Sequence, residues 1–237
     1  MLILVYILSM VPSVGIFLWL RKQQSEIDEY KTLCNRAMIR GFLLAIALVM
    51  VVSGIFYIGK KLMVMNGVSI VISELYGNFI MTAFAEEIVK FSVLRGLIKK
   101  YQHNYSWLEI IMLMTIVGLG FEISESIVYA FGASVGVLLA RGLTVMHGGY
   151  GFIMGWFIGK GRKTGQKKFI VMGIVFMTLV HGLYDFCLTP KLMDISDIFG
   201  YTALALALIS IVIIVVAIVF IIKARKKSEY TEPIVCD

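Results

Sequence analysis

Acidic and basic side chains recur inside the most apolar stretches of this 237-residue chain. Each ionised group at the centre of a membrane helix costs about 2.5–3.5 kcal/mol on insertion scales, so such groups are rare and mark functional sites by default. We therefore expect them to face one shared polar interior. The residues concerned are Glu86, Glu87, Lys90, Glu122, Glu125, Arg141, His147, His181 and Asp185.

The spacing of the acidic residues indicates which of them share a helix face. Glu86 and Lys90 are four residues apart, so they lie on one face, and Lys90 can neutralise one of the adjacent glutamates, Glu86 or Glu87, and leave the other available. Glu122 and Glu125 are three residues apart, so both can face the interior. Arg141 is assigned a structural role, either pairing with a carboxylate or extending to the membrane surface.

The two intramembrane histidines are predicted to lie at the depth of the first glutamate pair. At 1.5 Å per residue, Glu86, His147 and His181 each lie roughly 18 Å from the cytoplasmic ends of their helices. Asp185 follows His181 by one helical turn, so it either orients the imidazole or ligates a metal with it. Carboxylates and imidazoles in one layer suit water activation, with or without a metal, and they also suit a proton or ion path.

Small residues accompany the polar ones. His147, Gly151 and Gly155 form a ridge at four-residue spacing, which predicts that a neighbouring helix approaches His147 closely. Gly118 and Gly120 are expected to leave room for water and for an unwound peptide strand.

The composition indicates a membrane protein. Hydrophobic residues make up 59% of the chain and charged residues 16%, whereas soluble domains average about 45–50% and about 25%. This excludes a disordered, fibrous or soluble globular protein. The net charge of +7 is explained by cationic cytoplasmic loops, so no nucleic-acid partner is expected. The three cysteines form no close pair, which argues against a disulfide framework or a thiolate metal site.

We predict an all-α polytopic membrane protein with about seven transmembrane helices, because a bilayer span needs roughly 20 apolar residues. Seventeen of the 22 Lys and Arg fall on one side of this map and three on the other, which predicts an outside N-terminus and a cytoplasmic C-terminus. Residues 62–77 are predicted to be an interfacial or re-entrant helix. The predicted spans lie near 1–20, 41–59, 78–98, 107–131, 133–159, 169–188 and 200–222.

The whole chain, 1–237, is predicted to be a single integral membrane domain. Its functional core covers about residues 70–190. Residues 21–40 are expected to form a cytoplasmic loop, for which a short surface helix is an alternative, and residues 223–237 a short cytoplasmic tail.

Four sequence motifs resemble those of the PrsW family of bacterial intramembrane proteases. They are A-E-E-I-V-K at 85–90, G-F-E-I-S-E at 120–125, H-G-G-Y-G at 147–151 and H-G-L-Y-D at 181–185. They are more distantly similar to the CaaX-protease and bacteriocin-processing superfamily. The resemblance covers about residues 70–190.

This resemblance implies a protease of the bacterial plasma membrane. Its substrate would be a single-span, membrane-anchored anti-sigma factor, cleaved on the extracytoplasmic side in a regulated stress response. Glu122 departs from the family's second motif and is given a supporting role with Lys90. The resemblance implies catalytic roles for Glu86, Glu87, Glu125, His147 and His181, with Asp185 completing the last motif.

The residues allow two hydrolytic mechanisms. In one, Glu86 or Glu87 deprotonates a water held with His147 and His181. In the other, Zn²⁺ held by His147, His181 and Glu86 lowers the pKa of its bound water. Two other classes of function stay open at this point, a secondary transporter or proton-coupled carrier that uses the same cluster and a non-catalytic scaffold. No inverted repeat that would favour a transporter is evident in the sequence.

Overall fold

The computed structural model describes residues 2–23, 28–101, 104–129 and 135–234. These ranges are almost entirely helical, and their one β-type contact is a bridge between Ser106 and Pro233. A π-helical segment, Tyr76–Phe84, joins α3 to α4 without interruption. The α-helices are α1 (Leu2–Arg21), α2 (Asp28–Met65), α3 (Ile70–Leu75), α4 (Ala85–Tyr101), α5 (Trp107–Tyr129), α6 (Val135–Thr144), α7 (Met146–Lys163), α8 (Lys167–Cys187), α9 (Pro190–Met193), α10 (Ile198–Ala224) and α11 (Ser228–Thr231).

The helical, membrane-embedded fold predicted from the sequence is confirmed. Four helices in the described part of the chain are long and apolar enough to cross a bilayer: Glu29–Met65, Trp107–Tyr129, Lys167–Cys187 and Asp197–Ala224. The count of seven spans and the placement of the two termini stay predictions. The outer surfaces of α2 and α10 carry exposed Leu, Ile and Val side chains, as expected of surfaces that face lipid.

The predicted span 133–159 is not one continuous helix. Within the described residues it consists of α6 and α7, which are separated at Val145, a residue with a φ of 43°. A β-branched residue in the left-handed region stores about 1–3 kcal/mol of strain. The sequence around Val145 contains no proline, and the nearest glycines, Gly142 and Gly148, each lie three residues from the break. Residues 133 and 134 lie outside the described ranges.

The predicted cytoplasmic loop 21–40 is largely helical. Residues 28–40 form the first turns of α2, and residues 24–27 lie outside the described ranges. The reason is an apolar stripe at helical spacing, which packs against the rest of the molecule while the charged residues face outward. The buried side chains of this stripe are Tyr30, Leu33, Cys34 and Ala37.

The segment 62–77 is not one helix, and its interfacial or re-entrant placement stays a prediction. It contains the end of α2, a turn with Gly67 at a φ of 68°, the whole of α3 and the start of the π-helical segment. The Lys60 ammonium lies 2.8 Å from the Glu74 carboxylate and closes this helical hairpin.

Helix α5 forms the centre of the bundle, and small residues bring its neighbours close. A Cβ at Gly118 would overlap the carbonyl group of His147, and Gly151 and Gly155 of α7 lie against the α5 backbone. This confirms the predicted close approach near His147. The expected free space at Gly118 and Gly120 is wrong, because the backbones of α7 and α2, respectively, occupy it.

The packing at Gly118 predicts a large effect of a single added methyl group. Gly118→Ala should lower the free energy of unfolding by about 1–3 kcal/mol, because the new Cβ has no space against α7. The matched control is Gly96→Ala in α4, where the Cβ meets nothing within 4 Å. That variant should be neutral or more stable by about 0.5–1 kcal/mol. Unfolding midpoints in detergent measure both, and equal stability of the two variants would contradict this packing.

Candidate active site

All eight residues predicted from the sequence to form the site converge in the structure. They come from four helices: the start of α4, the end of α5, the start of α7 and the end of α8. Residues on separate helices are brought within hydrogen-bond distance of each other, so the prediction of a shared polar interior is confirmed. The eight residues are Glu86, Glu87, Lys90, Glu122, Glu125, His147, His181 and Asp185.

Lys90 is the centre of the cluster and is 0% exposed. Its Nζ lies 2.7 Å from Glu87 Oε1 and 2.9 Å from His147 Nδ1, and 3.8 Å from Glu86 Oε2. The ammonium also lies 4.6 Å from the ring centroid of Phe121. Lys90 therefore neutralises Glu87, as the spacing allowed. Glu86 Oε2 is buried and has no hydrogen-bond partner among the described residues.

The imidazole of His181 is held on both sides by carboxylates. Its Nδ1 lies 2.9 Å from Glu87 Oε1, and its Nε2 lies 3.2 Å from Asp185 Oδ2. The same Nε2 lies 3.8 Å from Glu86 Oε2. This fixes the orientation of the ring and directs Nε2 toward Glu86 Oε2, which has no hydrogen-bond partner among the described residues. The predicted contact between Asp185 and His181 is confirmed.

His147 is positioned through both its ring and its backbone. Its Nε2 lies 2.6 Å from Glu125 Oε2, and its backbone N–H donates to Glu122 Oε2 at 2.8 Å. His147 lies in the first turn of α7, where backbone N–H groups have no partner within the helix. Val145, at the N-cap, has no side-chain acceptor, so Glu122 of another helix supplies the acceptor and a favourable charge.

Arg141, at the end of α6, belongs to the same cluster. Its Nη2 lies 2.5 Å from Glu125 Oε2 and 3.9 Å from Glu122 Oε1. Its guanidinium carbon lies 4.2 Å from the ring centroid of Tyr129. The predicted pairing with a carboxylate is confirmed. The sequence predicted for Arg141 a place in the shared polar interior with a structural role only, and the structure adds that it borders the cleft beside His147.

Aromatic rings that the sequence did not single out surround the two imidazoles. Phe121 lies edge-on to His147 with ring centroids 4.9 Å apart, and Tyr150 lies 5.4 Å from the centroid of His181. The two imidazole centroids are themselves 5.1 Å apart. Both aromatic residues stand inside the quoted motifs, beside Glu122 and after His147, which was the signal available for finding them.

A narrow polar cleft reaches the two imidazoles. Its volume is about 10 Å³, close to that needed for a single water molecule. Glu125, Arg141, His147, His181 and Asp185 are among the residues that line it. The cleft therefore has room for about one water molecule beside both histidines.

The donor atoms of the site also fit a divalent cation. Glu86, His147 and His181 each offer one ligand atom, and these atoms lie within 4.8 Å of one another. Two histidines and one glutamate form a set typical of catalytic zinc. The five carboxyl groups of the cluster face two permanent cations, Lys90 and Arg141, so added positive charge would be favourable. Glu86 Oε2 has no hydrogen-bond partner among the described residues, and a bound cation would supply one ligand contact for it.

An apolar helical bundle with a buried acid–imidazole centre and access for water has the features of a membrane-embedded hydrolase. A family model described as PrsW family intramembrane metalloprotease matches residues 30–222. The chain therefore belongs to the PrsW protease family and is a peptidase of the membrane.

Individual relatives agree with this membership. The chain is 30% identical to Protease PrsW of Bacillus subtilis (strain 168) over 167 residues, which are 68% of this chain and 74% of the relative. It is 27% identical to Protease PrsW of Clostridioides difficile (strain 630) over 194 residues, which are 77% and 78% of the two chains. No solved structure matches the chain significantly.

The backbone contact of Glu122 can be tested through stability. Glu122→Ala should lower the free energy of unfolding by about 1–3 kcal/mol, because it leaves the buried His147 N–H without an acceptor. Glu122→Gln keeps a carbonyl oxygen in that place and should lower the free energy of unfolding by less than Glu122→Ala does. Unfolding titrations in mixed detergent measure both variants. Equal loss in the two variants would show that the hydrogen bond to His147 is not what Glu122 contributes.

Proposed function

We propose that the chain is an intramembrane endopeptidase that hydrolyses a peptide bond of a membrane-anchored protein at Glu86, His147 and His181. The observation that carries the proposal is the convergence of these three residues from three helices. The two histidines also line a cleft with room for about one water molecule. Membership in a protease family supports peptide hydrolysis over the transporter and the scaffold that the sequence left open.

The general base in this proposal is Glu86. Glu87 Oε1 already accepts hydrogen bonds from Lys90 and from His181. Glu87 Oε2 and Glu86 Oε2 have no hydrogen-bond partner among the described residues, but only the Glu86 carboxylate is free of hydrogen bonds to both of these groups. The 3.8 Å between Glu86 Oε2 and His181 Nε2 is too long for a hydrogen bond and suits a water that bridges the two. Glu86 takes a proton from this water while the water oxygen attacks the carbonyl carbon. Glu86 then delivers the proton to the leaving amine.

The remaining polar groups orient the reactants and stabilise charge. Negative charge develops on the carbonyl oxygen as the water attacks, and the protonated nitrogen of His147 and the Arg141 guanidinium are the donors nearest to the cleft. Glu87 and Lys90 are positioning residues, because they act on the two imidazoles and not on the substrate. In the alternative with a metal, Glu86, His147 and His181 would hold a Zn²⁺ that would polarise the carbonyl group and activate the water, and Glu86 would then be a ligand and not the base.

The proposed substrate is a single-span, membrane-anchored anti-sigma factor. This proposal follows from the family resemblance, and the depth of the site within an apolar bundle supports a substrate that is itself in the membrane. Co-expression of candidate single-span proteins with the wild type or with Glu86→Gln tests it. A truncated product that forms with the wild-type protein and not with Glu86→Gln identifies a substrate. Identical products with the wild type and with Glu86→Gln would contradict the proposal.

Substitutions at the site should separate the proposed roles by their effect on the cleavage rate. Glu86→Gln and His181→Ala should each lower the rate by roughly 10²–10⁴-fold, because they remove proton transfer or the group that holds the water. Glu87→Gln should also lower it, through the loss of His181 orientation. The matched control is Glu74→Gln, which removes a carboxylate from the separate pair with Lys60 and should leave cleavage unchanged. Full activity of Glu86→Gln would refute the assigned centre.

Metal analysis of the purified protein tests the zinc set. We expect about one zinc per chain in the wild type, and loss of that zinc in both His147→Ala and His181→Ala. Glu74→Gln should retain the metal. A wild type that cleaves its substrate without bound metal and in the presence of chelator would assign the reaction to the glutamate and the imidazoles alone.

A further inference from the structure

A second and larger cavity lies next to the water cleft. Its volume is about 570 Å³, within the roughly 300–1,000 Å³ typical of ligand pockets. It lies between the π-helical segment, α6, the end of α8, α9 and α10. Residues from each of these elements line it, among them Asn78, Ala140, Leu188, Pro190, Met193 and Ala207. We call this cavity the outer groove.

The outer groove is continuous with the site described above. Arg141, Thr144, Tyr184 and Asp185 border both the outer groove and the water cleft. Arg141 and Asp185 are the charged residues of its lining, and both lie at this inner end. The rest of its lining is uncharged and largely apolar, with alanine on both α6 and α10. Its chemistry therefore suits a segment with small, uncharged side chains.

An unpaired donor lies where the two cavities meet. The Nε of Arg141 is buried and has no hydrogen-bond partner among the described residues, although Nη2 of the same side chain is held by Glu125. A buried donor without an acceptor costs about 1–3 kcal/mol, so its persistence needs an explanation. A carbonyl oxygen of a bound peptide would supply the missing acceptor.

One wall of the outer groove is fixed by hydrogen bonds. The Asn78 amide donates to the backbone carbonyl of Glu74 at 2.8 Å and to Thr189 Oγ1 at 3.1 Å. These bonds connect the π-helical segment to the connection between α8 and α9. The groove is therefore bounded by ordered side chains on this side, as a binding surface requires.

We propose that the outer groove binds the cleavage region of a membrane-anchored substrate as an extended strand, with one of its backbone carbonyls accepting a hydrogen bond from Arg141 Nε. A helical substrate satisfies its carbonyls internally, whereas an extended strand leaves them free and exposes the bond to be cut. The proposal rests on the proposed endopeptidase function and adds where and in what conformation the substrate is recognised. The shape and charge of the outer groove favour small, uncharged substrate residues next to the peptide bond that is cleaved.

Photochemical capture tests the location. The probe is a synthetic single-span reporter with an alanine-rich segment outside its membrane helix that carries a benzophenone, incubated with Glu86→Gln protein to prevent turnover. Adducts should form at Met193 in the outer groove and not at Met172, a methionine of α8 that is 49% exposed and lies outside the groove. Adducts at Met172 alone, or no adducts, would overturn the proposal.

Groove-filling variants test the same proposal independently. Ala207→Trp should reduce capture by roughly tenfold or more, because the indole occupies the groove. Ala205→Trp, on the exposed face of the same helix, is the matched control and should capture normally. Arg141→Lys keeps the positive charge beside Glu125 but lacks the Nε–H, so it should weaken capture by roughly tenfold. Wild-type capture by both Ala207→Trp and Arg141→Lys would overturn the proposal.

The proposed function is tested separately by wild-type cleavage of the same reporter. Capture at Met193 without cleavage would count against the endopeptidase and not against the groove. Cleavage with adducts only at lipid-facing residues would count against the groove and not against the endopeptidase. Elution of each variant as a single species in detergent shows that it is folded.

Discussion

Lys90 places a permanent positive charge among carboxylates and imidazoles that the helices withdraw from water. Its ammonium lies between Glu87 of its own helix and His147 of α7, and Glu87 in turn holds His181 of α8. Removing one partner of a buried ion pair leaves an uncompensated charge and typically costs about 3–5 kcal/mol. The alignment of three helices therefore depends on this one interaction, and the reactive groups are aligned with them.

The packing of the bundle serves the same arrangement. Gly118 lets the start of α7 approach α5 closely, and this approach brings the His147 N–H to Glu122. The break at Val145 is what exposes that N–H, because a new helix begins at the next residue, Met146, and places His147 in its first turn. The strain of the left-handed valine is thus offset by contacts that orient a site residue. Strain held at a functional site in this way is common in enzymes.

Local rules predicted much of this site from the sequence. The neutralisation of a glutamate by Lys90 and the contact of His181 with Asp185 follow from helical spacing, and the common depth of the histidines follows from the rise per residue. The break at Val145 could not be predicted, because the nearest glycines lie three residues away and a valine rarely adopts a left-handed conformation. The backbone role of Glu122 could not be predicted either, since it depends on how two distant helices approach each other.

The extent of α2 and the outer groove illustrate the same limit. The buried stripe from Tyr30 to Ala37 has helical spacing, which agrees with a short surface helix, but the continuation of that helix through residue 65 was not predicted. The groove is lined by residues from several elements, and no spacing within one helix predicts such a cavity. Interactions within one helix could therefore be predicted from the sequence, whereas interactions that depend on tertiary packing could not.

The central claim is that Glu86 and His181 act on the same water molecule. A double-mutant cycle on kcat/KM for Glu86→Asp and His181→Gln, which are conservative enough to leave measurable cleavage, tests it most directly. Groups in direct functional contact show coupling of about 0.5–3 kcal/mol, whereas independent groups add within about 0.5 kcal/mol. The account predicts that the double variant is at least roughly tenfold faster than the product of the two single losses implies. Losses that simply multiply would contradict it.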